Sequence, residues 1–277
     1  MCKYVRWISK VGPRIIKDHF RYIKPFYKHK DKHSLEERYS RLRELFITVL
    51  NVMRLDIKIN GIENLRKLEE EGKTFLLVSN HISDMDPLPL VYLSEKPLTF
   101  IAKKETAKYP IVNKAIVDLD GFFLDREDLK QSLRVMKDVK DRLGQNDLSI
   151  GIFPEGKRNK EPDGPIKEFH PGSFRPAINS NSYILPVAIF GTHRVLQSKY
   201  NFKRFPIEIT ILPPLGLDFY SGKKSQDIAP EINKMINDEV DKMKMIDKEF
   251  IEKGYHKIPL KKGQIPGRDS VLMIKNK

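Results

Sequence analysis

The stretch TFLLVSNHISDMDP, residues 74–87, contains the pattern that decides the fold. Its apolar and strand-forming start, residues 74–78, predicts a β-strand. A polar turn follows, and Pro87-Leu88-Pro89-Leu90 after it is typical of a helix start. A strand, a turn and a helix in this order deliver His81 from a strand end onto a turn, where the imidazole can face solvent or substrate.

His81 is followed five positions later by Asp86, and a turn of that length lets the carboxylate fold back onto the imidazole. The carboxylate then holds one tautomer and favours the protonated ring, which is the base-and-orienter half of a catalytic triad. No serine or cysteine nucleophile stands beside the pair, so the missing hydroxyl can belong to the substrate. The alternative is that Asn80 and Asp84 are turn formers and His81 is an ordinary surface histidine, because a lone His-x4-Asp is common by chance.

Around this stretch, strand-like and helix-like segments alternate along the chain. The predicted strands are residues 56–60, 74–79, 98–102, 121–124, 149–153, 183–190 and 206–212. The predicted helices are residues 62–71, 87–94, 110–117, 129–144, 173–179 and 226–253. This alternation indicates an α/β fold, with a largely parallel mixed sheet flanked by helices, and ligands on such a sheet gather at the strand ends.

The net charge of +14 is carried by the two ends of the 277-residue chain. Residues 1–33 contribute +8 and residues 253–277 contribute +6, whereas residues 34–252 are balanced. Basic ends of this kind seek anionic surfaces, either phospholipid or nucleic acid. The sequence contains no helix-turn-helix, zinc or aromatic RNA-binding pattern, so we expect an anionic membrane surface and no nucleic acid as the partner.

Two N-terminal segments predict helices. Residues 4–28 interleave bulky apolar side chains with lysines and arginines, which suits a membrane interface; the alternative is a helix packed on the body with a solvated basic face. The capping box Ser34-Leu35-Glu36-Glu37 starts the second helix. Residues 45–53 are apolar nearly all round, so they are either buried in the body or dipped into lipid. We therefore predict an N-terminal two-helix membrane-facing appendage.

These patterns divide the chain into three parts: basic amphipathic helices at 1–54, an α/β domain at 55–253 and a basic tail at 254–277. The single cysteine, Cys2, rules out a disulfide within the chain and fits a reducing, cytosolic setting. No apolar run reaches roughly 18 residues, so we expect no transmembrane helix.

Three further segments follow predicted strands, where active-site loops are commonly found. They are Gly121-Phe122-Phe123-Leu124-Asp125-Arg126, Phe153-Pro154-Glu155-Gly156-Lys157-Arg158 and Leu185-Pro186-Val187-Ala188-Ile189-Phe190-Gly191-Thr192. Arginine suits phosphate, and glycine lets main-chain N–H groups approach an anion closely. Taken alone, Arg126 can pair with a neighbouring carboxylate and Pro154-Glu155-Gly156 can be a plain turn.

Together with the stretch around His81, these three segments make four motifs. Their sequence order and residue types resemble the glycerophospholipid acyltransferase family, of which bacterial 1-acylglycerol-3-phosphate acyltransferase is the type. That family carries a His-x4-Asp block, a Gly-x-x-apolar-x-Arg block, a Phe-Pro-Glu-Gly-x-Arg block and a Val-Pro-Val-Ala-type strand. Ala102-Lys103-Lys104-Glu105 and Phe169-His170-Pro171-Gly172 resemble two further family segments, so the resemblance covers roughly residues 74–195.

The resemblance implies acyl transfer from acyl-CoA or acyl carrier protein to the free hydroxyl of 1-acylglycerol-3-phosphate (lysophosphatidate), giving phosphatidate. It implies that His81 is the general base and that Asp86 orients it. The phosphate-binding residues that it implies are Lys103, Lys104, Arg126, Glu155, Gly156 and Arg158. It implies no metal and no redox cofactor.

Other functions stay open at this stage. The same chemistry can act on glycerol-3-phosphate or another lysophospholipid, and Lys157 and His170 depart from common family residues in ways that bear on the acceptor or donor. A catalytically inactive lipid-binding scaffold and a nucleic-acid-binding protein are the alternatives from other classes. The basic ends and the implied substrate together predict a peripheral protein on the cytoplasmic face of the membrane. Acyl-chain length, thioester carrier, oxyanion donor and oligomeric state have no sequence pattern that reports them.

Overall fold

The computed structural model describes residues 24–197 and 199–259, together with Gly12, Pro13, Ile16, Lys17 and Phe20. Most of the predicted basic helix at 4–28 and of the predicted tail at 254–277 therefore lies outside the described residues. Within the described part of the chain, no helix is long and apolar enough to cross a bilayer.

Strands and helices alternate along the chain as the sequence predicts. The strands are β1 (Leu55–Asn60), β2 (Phe75–Ser79), β3 (Leu98–Lys103), β4 (Phe122–Leu124), β5 (Ser149–Ile152), β6 (Tyr183–Phe190) and β7 (Phe205–Ile211). The helices are α1 (Lys24–Lys28), α2 (Leu35–Val52), α3 (Ile62–Glu70), α4 (Pro87–Leu93), α5 (Pro110–Asp118), α6 (Leu129–Leu143), α7 (Arg175–Ser180), α8 (Leu217–Tyr220) and α9 (Ser225–Glu252). The predicted strands and the six helices predicted for the α/β domain are confirmed to within one or two residues at each end, whereas α8 was not predicted.

The described strands form one seven-stranded sheet in the order β1-β7-β6-β2-β5-β3-β4. Neighbouring strands are parallel except for β6 and β7, so β1 and β7 run against the other five. The prediction of a largely parallel mixed sheet is confirmed. Strand β2 lies at the centre, and its carboxyl end is where the chain passes into the turn that carries His81.

Strand β2 is buried on both of its faces. Phe75 and Leu77 belong to a core layer that includes residues of α2, α3 and α4, whereas Leu76 and Val78 belong to a layer that includes residues of α6, α7 and α9. A strand covered by helices on both faces needs an unbroken apolar run rather than an alternating one. This explains why residues 75–78 are hydrophobic at every position.

Helix α2 packs on the body of the protein. Ser34 accepts a hydrogen bond from the Glu37 amide at 3.2 Å, which confirms the predicted helix start. The apolar side of the helix joins the same core layer as Phe75, and the Tyr39 hydroxyl donates to the Val91 carbonyl at 2.7 Å. Of the two alternatives for residues 45–53, burial in the body is the one observed. A membrane-facing role for the N-terminal region and the boundary at residue 54 stay predictions.

A charged cluster joins the N-terminal region to the end of α5. Lys30 and Arg38 pair with Asp120, and Arg38 also donates to the main-chain oxygen of Asp118. The Asp118 carboxylate is fully buried, and neither oxygen has a hydrogen-bond partner among the described residues. Burial raises the pKa of the Asp118 carboxyl to about 6, although the positive charges of Arg38 and Lys30 oppose the rise.

We expect the Asp118→Asn variant to be more stable than the wild type at about pH 8. The Asp118 pKa is about 6 in the folded state against an ordinary value of 3.8, so the folded chain binds this proton more tightly than the unfolded chain. Stability that comes from this group is therefore present below pH 3.8 and is lost as the pH rises through 6. The gain at high pH is of the order of 2 kcal/mol and disappears in acid.

Thermal unfolding followed by circular dichroism over a pH series measures this difference. Asp163→Asn, on an exposed loop, is the matched control and should leave the pH dependence of stability unchanged. An Asp118→Asn chain that is less stable than wild type at high pH would contradict the interpretation.

Candidate active site

The turn between β2 and α4 is fastened to the neighbouring strand by Asn80. The Asn80 side chain donates to the Ile189 carbonyl and accepts from the Ile189 amide, both at 2.9 Å. These two bonds continue the hydrogen bonding between β2 and β6 after β2 has ended. Asn80 is fully buried, so its role goes beyond that of the turn former considered in the sequence analysis. The main chain on the amino side of His81 is fixed in this way.

Asp86 is fully buried and accepts four hydrogen bonds. Its Oδ2 accepts from the amides of Ile82 and Ser83 and from His81 Nδ1, each at 2.8 Å. Its Oδ1 accepts from Thr192 Oγ1 at 2.5 Å. Two main-chain amides, a ring N–H and a hydroxyl donating to one carboxyl group is the arrangement that stabilises the ionised form. The structure therefore brings His81 and Asp86 into contact with Asp86 in the charged form.

This contact fixes the tautomer of His81. A carboxylate cannot donate a proton, so Nδ1 must carry the hydrogen and a neutral ring keeps its lone pair on Nε2. The side chain is 17% exposed, because the ring stacks on Phe153 with 4.2 Å between the centroids. Phe153 stacks in turn on Phe100, at 5.2 Å. The imidazole is thus held on one face while its Nε2 is available as a base.

Gly151 on β5 makes this stack possible. A Cβ atom at position 151 would lie 2.4 Å from the Phe100 ring, which is much closer than van der Waals contact allows. The absent side chain lets the Phe100 ring lie directly over β5 and support Phe153 from below.

Glu155 points into the protein and holds the main chain of the site. Its Oε1 accepts from the His81 amide at 2.6 Å and its Oε2 accepts from the Lys167 amide at 3.1 Å. The residue is 2% exposed, and burial raises the pKa of its carboxyl above the ordinary value despite the two amide donors. The Asn159 amide donates to the His81 carbonyl at 2.6 Å, so both main-chain groups of His81 are fixed by the 155–159 loop.

The predicted phosphate-binding cations lie at the same end of the sheet. Lys103 pairs with Glu105 at 3.0 Å, and Lys104 pairs with Asp125 at 2.9 Å. Arg126 is exposed and forms no ion pair with another described residue; partial desolvation lowers the pKa of its guanidinium, which nevertheless stays charged.

Arg158 is the predicted phosphate-binding cation that the structure connects to the His81 turn itself. Its Nη1 donates to Asp84 at 2.7 Å, and Asp84 lies inside the turn between His81 and Asp86. Both side chains are more than half exposed, so this ion pair contributes little to stability and can open.

Strand order sets the distances between the remaining cations and the histidine. β5 separates β2 from β3, and β4 lies beyond β3. At about 4.8 Å per strand, the end of β4 lies about 14 Å from the end of β2. Lys103, Lys104 and Arg126 therefore lie to one side of His81, at the carboxyl ends of β3 and β4.

Gly156 has a left-handed backbone conformation, with φ of 70°. A Cβ atom there would also approach the His170 ring to 3.0 Å. His170 in turn donates its amide to the Pro154 carbonyl at 3.0 Å, which ties the two family-like segments together. The position therefore requires glycine for both conformation and space.

The sequence assigned no role to Thr192 or Phe153, and gave Asn80 only the alternative role of a turn former. Thr192 stands in a segment that the sequence analysis quoted, directly after β6, but its partner Asp86 is 106 residues away. The signal available in the sequence was Gly191, a glycine directly after a predicted strand. In the structure its φ of 95° and its close approach to the Pro206 carbonyl show a sharp turn at the end of β6, beside β2.

Fold and site together define an α/β protein with an oriented histidine at the carboxyl end of its central strand and cations to one side. The family model described as Acyltransferase matches residues 56–190. A "Probable 1-acyl-sn-glycerol-3-phosphate acyltransferase" of Mycoplasma pneumoniae is 30% identical over 210 residues, which are 71% of this chain and 76% of that protein. The chain belongs to this acyltransferase family.

Other relatives agree with this assignment. The "1-acyl-sn-glycerol-3-phosphate acyltransferase" of Limnanthes douglasii is 29% identical over 69% of this chain and 64% of that protein, and the Borreliella burgdorferi protein of the same name is 31% identical over 50% and 53%. The chain thus spans between half and two thirds of the length of these relatives. The crystal structure of the 1-acyl-sn-glycerophosphate (LPA) acyltransferase PlsC from Thermotoga maritima has the same fold, with a TM-score of 0.64, 23% identity and coverage of 87% of this chain and 93% of that one.

We expect Gly156→Ala to lower the free energy of unfolding by about 1–2 kcal/mol, because alanine is strained at positive φ and its Cβ would press on His170. Gly172→Ala is the matched control, since a Cβ there meets nothing within 4 Å. Urea unfolding of the two variants beside wild type measures the difference. Equal urea midpoints for both variants would contradict the requirement for glycine at position 156.

Proposed function

We propose that this protein transfers a fatty acyl group from an acyl thioester to the free hydroxyl of 1-acylglycerol-3-phosphate, giving phosphatidate. The observation that carries the proposal is the 2.8 Å contact between His81 Nδ1 and a buried, four-fold bonded Asp86, which leaves Nε2 as a base. The names of the relatives supply the reaction and the acceptor. Acyl-CoA or acyl carrier protein is the expected donor.

In the first half of the proposed reaction, the acceptor hydroxyl attacks the thioester carbonyl while His81 Nε2 takes the hydroxyl proton. A C–O bond forms and the carbonyl becomes a tetrahedral oxyanion. Asp86 stabilises the imidazolium that results, because its charge lies 2.8 Å from Nδ1. Positioned base catalysis of this kind contributes about 10²–10⁴-fold to the rate.

In the second half, the tetrahedral intermediate collapses and the C–S bond breaks. The thiolate leaves and receives the proton from His81 Nε2, so the histidine ends in its starting form. The same proton therefore moves from the acceptor hydroxyl to the departing thiol, and the reaction needs no net proton from solvent.

The main-chain N–H groups of residues 81–83 are not available to the oxyanion. The amide of His81 donates to Glu155, and the amides of Ile82 and Ser83 donate to Asp86. These N–H groups, which would otherwise suit an oxyanion hole, are already occupied. The donor to the oxyanion must therefore come from another part of the site.

The acceptor phosphate is proposed to bind on the β3 and β4 side of His81. Arg126, Lys103 and Lys104 supply the charge from that side, and Arg158 supplies it from beside the turn once its pair with Asp84 opens. Glu155 and Gly156 act by shaping the loop rather than by direct contact, since Glu155 faces two main-chain amides. Holding the phosphate orients the hydroxyl toward Nε2, which lowers the entropic part of the barrier.

Replacing His81 with alanine tests the base. We expect the His81→Ala variant to lose at least about a hundredfold in kcat for acyl transfer to lysophosphatidate, measured by the thiol released from acyl-CoA. His29→Ala, at an exposed histidine far along the chain from the site, is the matched control. Near-normal turnover of His81→Ala would end the proposal.

A panel of substrates identifies which acceptor and which acyl donor the protein uses. Lysophosphatidate, glycerol-3-phosphate and a lysophospholipid without a free phosphate are each assayed with acyl-CoA and with acyl carrier protein. We expect turnover with lysophosphatidate. Turnover with glycerol-3-phosphate alone would keep the reaction type but replace lysophosphatidate with glycerol-3-phosphate as the acceptor.

Thr192 is proposed as a positioning residue that acts through Asp86. Thr192→Val keeps the shape but removes the hydroxyl that donates to Asp86 Oδ1 at 2.5 Å. A lost hydrogen bond to a buried charge costs about 1.5–3 kcal/mol, so we expect kcat to fall by about tenfold to a hundredfold with KM for the acceptor unchanged. Thr192→Ser should restore the rate, whereas an equal loss in Thr192→Ser would contradict a role for the hydroxyl.

A further inference from the structure

A cavity of about 570 Å³ lies between two segments that each follow a strand of the sheet. One wall is the loop 160–164, after β5, and the other is formed by His193 and residues up to Tyr200, after β6. We call it the β6 cavity. Cavities of about 300–1,000 Å³ are the size that small molecules and cofactors occupy. The volume therefore suits a ligand, and the lining residues decide its chemistry.

Both walls of the β6 cavity begin at residues that hold the His81 turn. The Asn159 amide donates to the His81 carbonyl at 2.6 Å, and the first wall begins at the next residue. Thr192 donates to Asp86 at 2.5 Å, and the next residue is His193 in the second wall. A molecule held between the walls thus lies next to the His81 turn and apart from the cations at the carboxyl ends of β3 and β4.

Helix α9 holds the two walls at a fixed spacing. Lys244 donates to the Gly164 carbonyl at 2.7 Å, which fastens the loop. About one helical turn further on, Asp247 accepts two hydrogen bonds from Arg194, one of them at 2.6 Å, and each side chain of this ion pair is only 7% exposed. Breaking a buried ion pair leaves an uncompensated charge, so such a pair persists. The gap between the walls is therefore a built part of the fold.

The loop at 160–164 is also braced by the buried side chain of Asn159. Its Oδ1 accepts from the Glu161 amide at 3.1 Å, and its Nδ2 donates to the Pro165 carbonyl at 2.9 Å. The Gly164 amide donates to the Glu161 carbonyl at 3.0 Å. A loop closed by these bonds presents its side chains in one arrangement, as a binding site requires.

His193 is the buried polar group of the cavity lining. The residue is 4% exposed, and its Nδ1 has no hydrogen-bond partner among the described residues, whereas buried polar atoms nearly always have one. Burial and the charges of Arg194 and Lys199 lower the pKa of His193 to about 3, so the ring is neutral at physiological pH. A neutral imidazole has one nitrogen that donates and one that accepts. It suits an uncharged amide or hydroxyl better than an anion.

The exposed rim of the β6 cavity carries charges of both signs. Lys160 and Lys199 are the cations, and Glu161 and Asp163 are the anions. The carboxylates oppose a phosphate monoester, which has close to two negative charges. A ligand that combines a singly charged phosphate with amide N–H groups fits all four side chains, because lysines pair with phosphate and carboxylates accept from amides. The rim therefore does not match the phosphate of lysophosphatidate.

We propose that the β6 cavity binds the phosphopantetheine arm of the acyl donor, the part that acyl-CoA and acyl carrier protein share. This arm has a singly charged phosphate at one end, a hydroxyl, a dimethyl-substituted carbon and amides along its length, and the sulfur at the other end. Lys160 and Lys199 meet the phosphate, His193 bonds to an amide or hydroxyl, and the methyl groups pack on Tyr200, whose ring centre lies 6.1 Å from that of His193.

This inference rests on the proposed function and assigns the two substrates to different parts of the site. The flexible arm brings the thioester to the His81 turn from the β6 cavity, and the acceptor phosphate is held at the carboxyl ends of β3 and β4. The carboxylates of the cavity rim keep the acceptor phosphate from binding where the donor binds.

Isothermal titration calorimetry of the full chain with CoA tests the cavity without any turnover. We expect His193→Phe, which keeps a ring but loses both nitrogens, to bind CoA about fivefold more weakly than wild type. His193→Asn, which restores a polar atom near the position of Nδ1, should recover most of this loss. Wild-type affinity in His193→Phe, or no binding of CoA to the wild type, would overturn the inference.

The exposed lysines give a second variant that decides the question even if His193→Phe does not fold. Lys160→Gln, Lys199→Gln should bind CoA about fivefold to tenfold more weakly, and the difference should shrink at high salt. The matched control is Lys67→Gln, Lys137→Gln, which removes two exposed lysines from α3 and α6 and should bind like wild type. An equal loss in the control pair would show a general charge effect and contradict a site at the cavity.

Further probes identify the part of the donor that is bound. Dephospho-CoA should bind about as tightly as CoA, and adenosine 3′,5′-bisphosphate, which lacks the arm, at least about tenfold more weakly. Acyl carrier protein that carries the arm should bind more tightly than the same protein without it. Binding of adenosine 3′,5′-bisphosphate as tight as that of CoA would assign the cavity to the nucleotide instead and would overturn the inference.

A kinetic comparison separates the inference from the proposed function. In the lysine double variant, KM for acyl-CoA should rise by the same factor as the dissociation constant of CoA, while kcat and KM for lysophosphatidate stay unchanged. A rise in KM for lysophosphatidate instead would assign the cavity to the acceptor and contradict the inference. If the wild type has no acyltransferase activity, the proposed function fails, and the titrations with CoA still decide whether the cavity binds the arm.

Discussion

The buried charge of Asp86 is the constraint on which the rest of the site depends. A carboxylate without access to water is costly unless its oxygens accept several hydrogen bonds. Here the donors come from the turn itself, from the imidazole and from Thr192, which follows the end of β6. The hydrogen bonds that this buried carboxylate requires thus determine the path of the turn, the tautomer of His81 and the position of the end of β6.

A second carboxylate fixes the same residue from the other side. Glu155 accepts from the amide of His81 and from that of Lys167, so the histidine and the loop after β5 are held as one unit. The ring itself is supported by apolar stacking on Phe153, which leaves its outer nitrogen unobstructed. The imidazole is therefore immobilised by groups that do not contact its outer nitrogen, as in preorganised sites.

Sequence reasoning succeeded where one local pattern had one physical cause. The run at 75–78 is hydrophobic at every position because β2 is covered on both faces. The His81 to Asp86 contact likewise follows from a turn of fixed length.

Reasoning from the sequence failed where the meaning of a residue depends on a distant partner. Thr192 reads as an ordinary residue after a strand until Asp86, 106 residues away, is placed beside it. The family resemblance grouped Glu155 with the phosphate-binding residues, and nothing in its local motif indicates that the side chain turns inward to an amide 74 residues away. The apolar half of α2 fits two environments equally well, the protein core and lipid. The hydrophobic pattern of the sequence does not distinguish between them.

The resting ion pairs of the cations have a consequence for selectivity. Lys103, Lys104 and Arg158 each pair with a carboxylate, so under the proposed function the incoming phosphate exchanges with counter-ions that belong to the protein. A phosphate monoester with close to two negative charges competes well in that exchange, whereas the single charge of a phosphodiester competes poorly. Under the proposed function, such built-in competitors would let a scarce monoester lipid be chosen from a surface crowded with diester lipids, without any pocket shaped to exclude them.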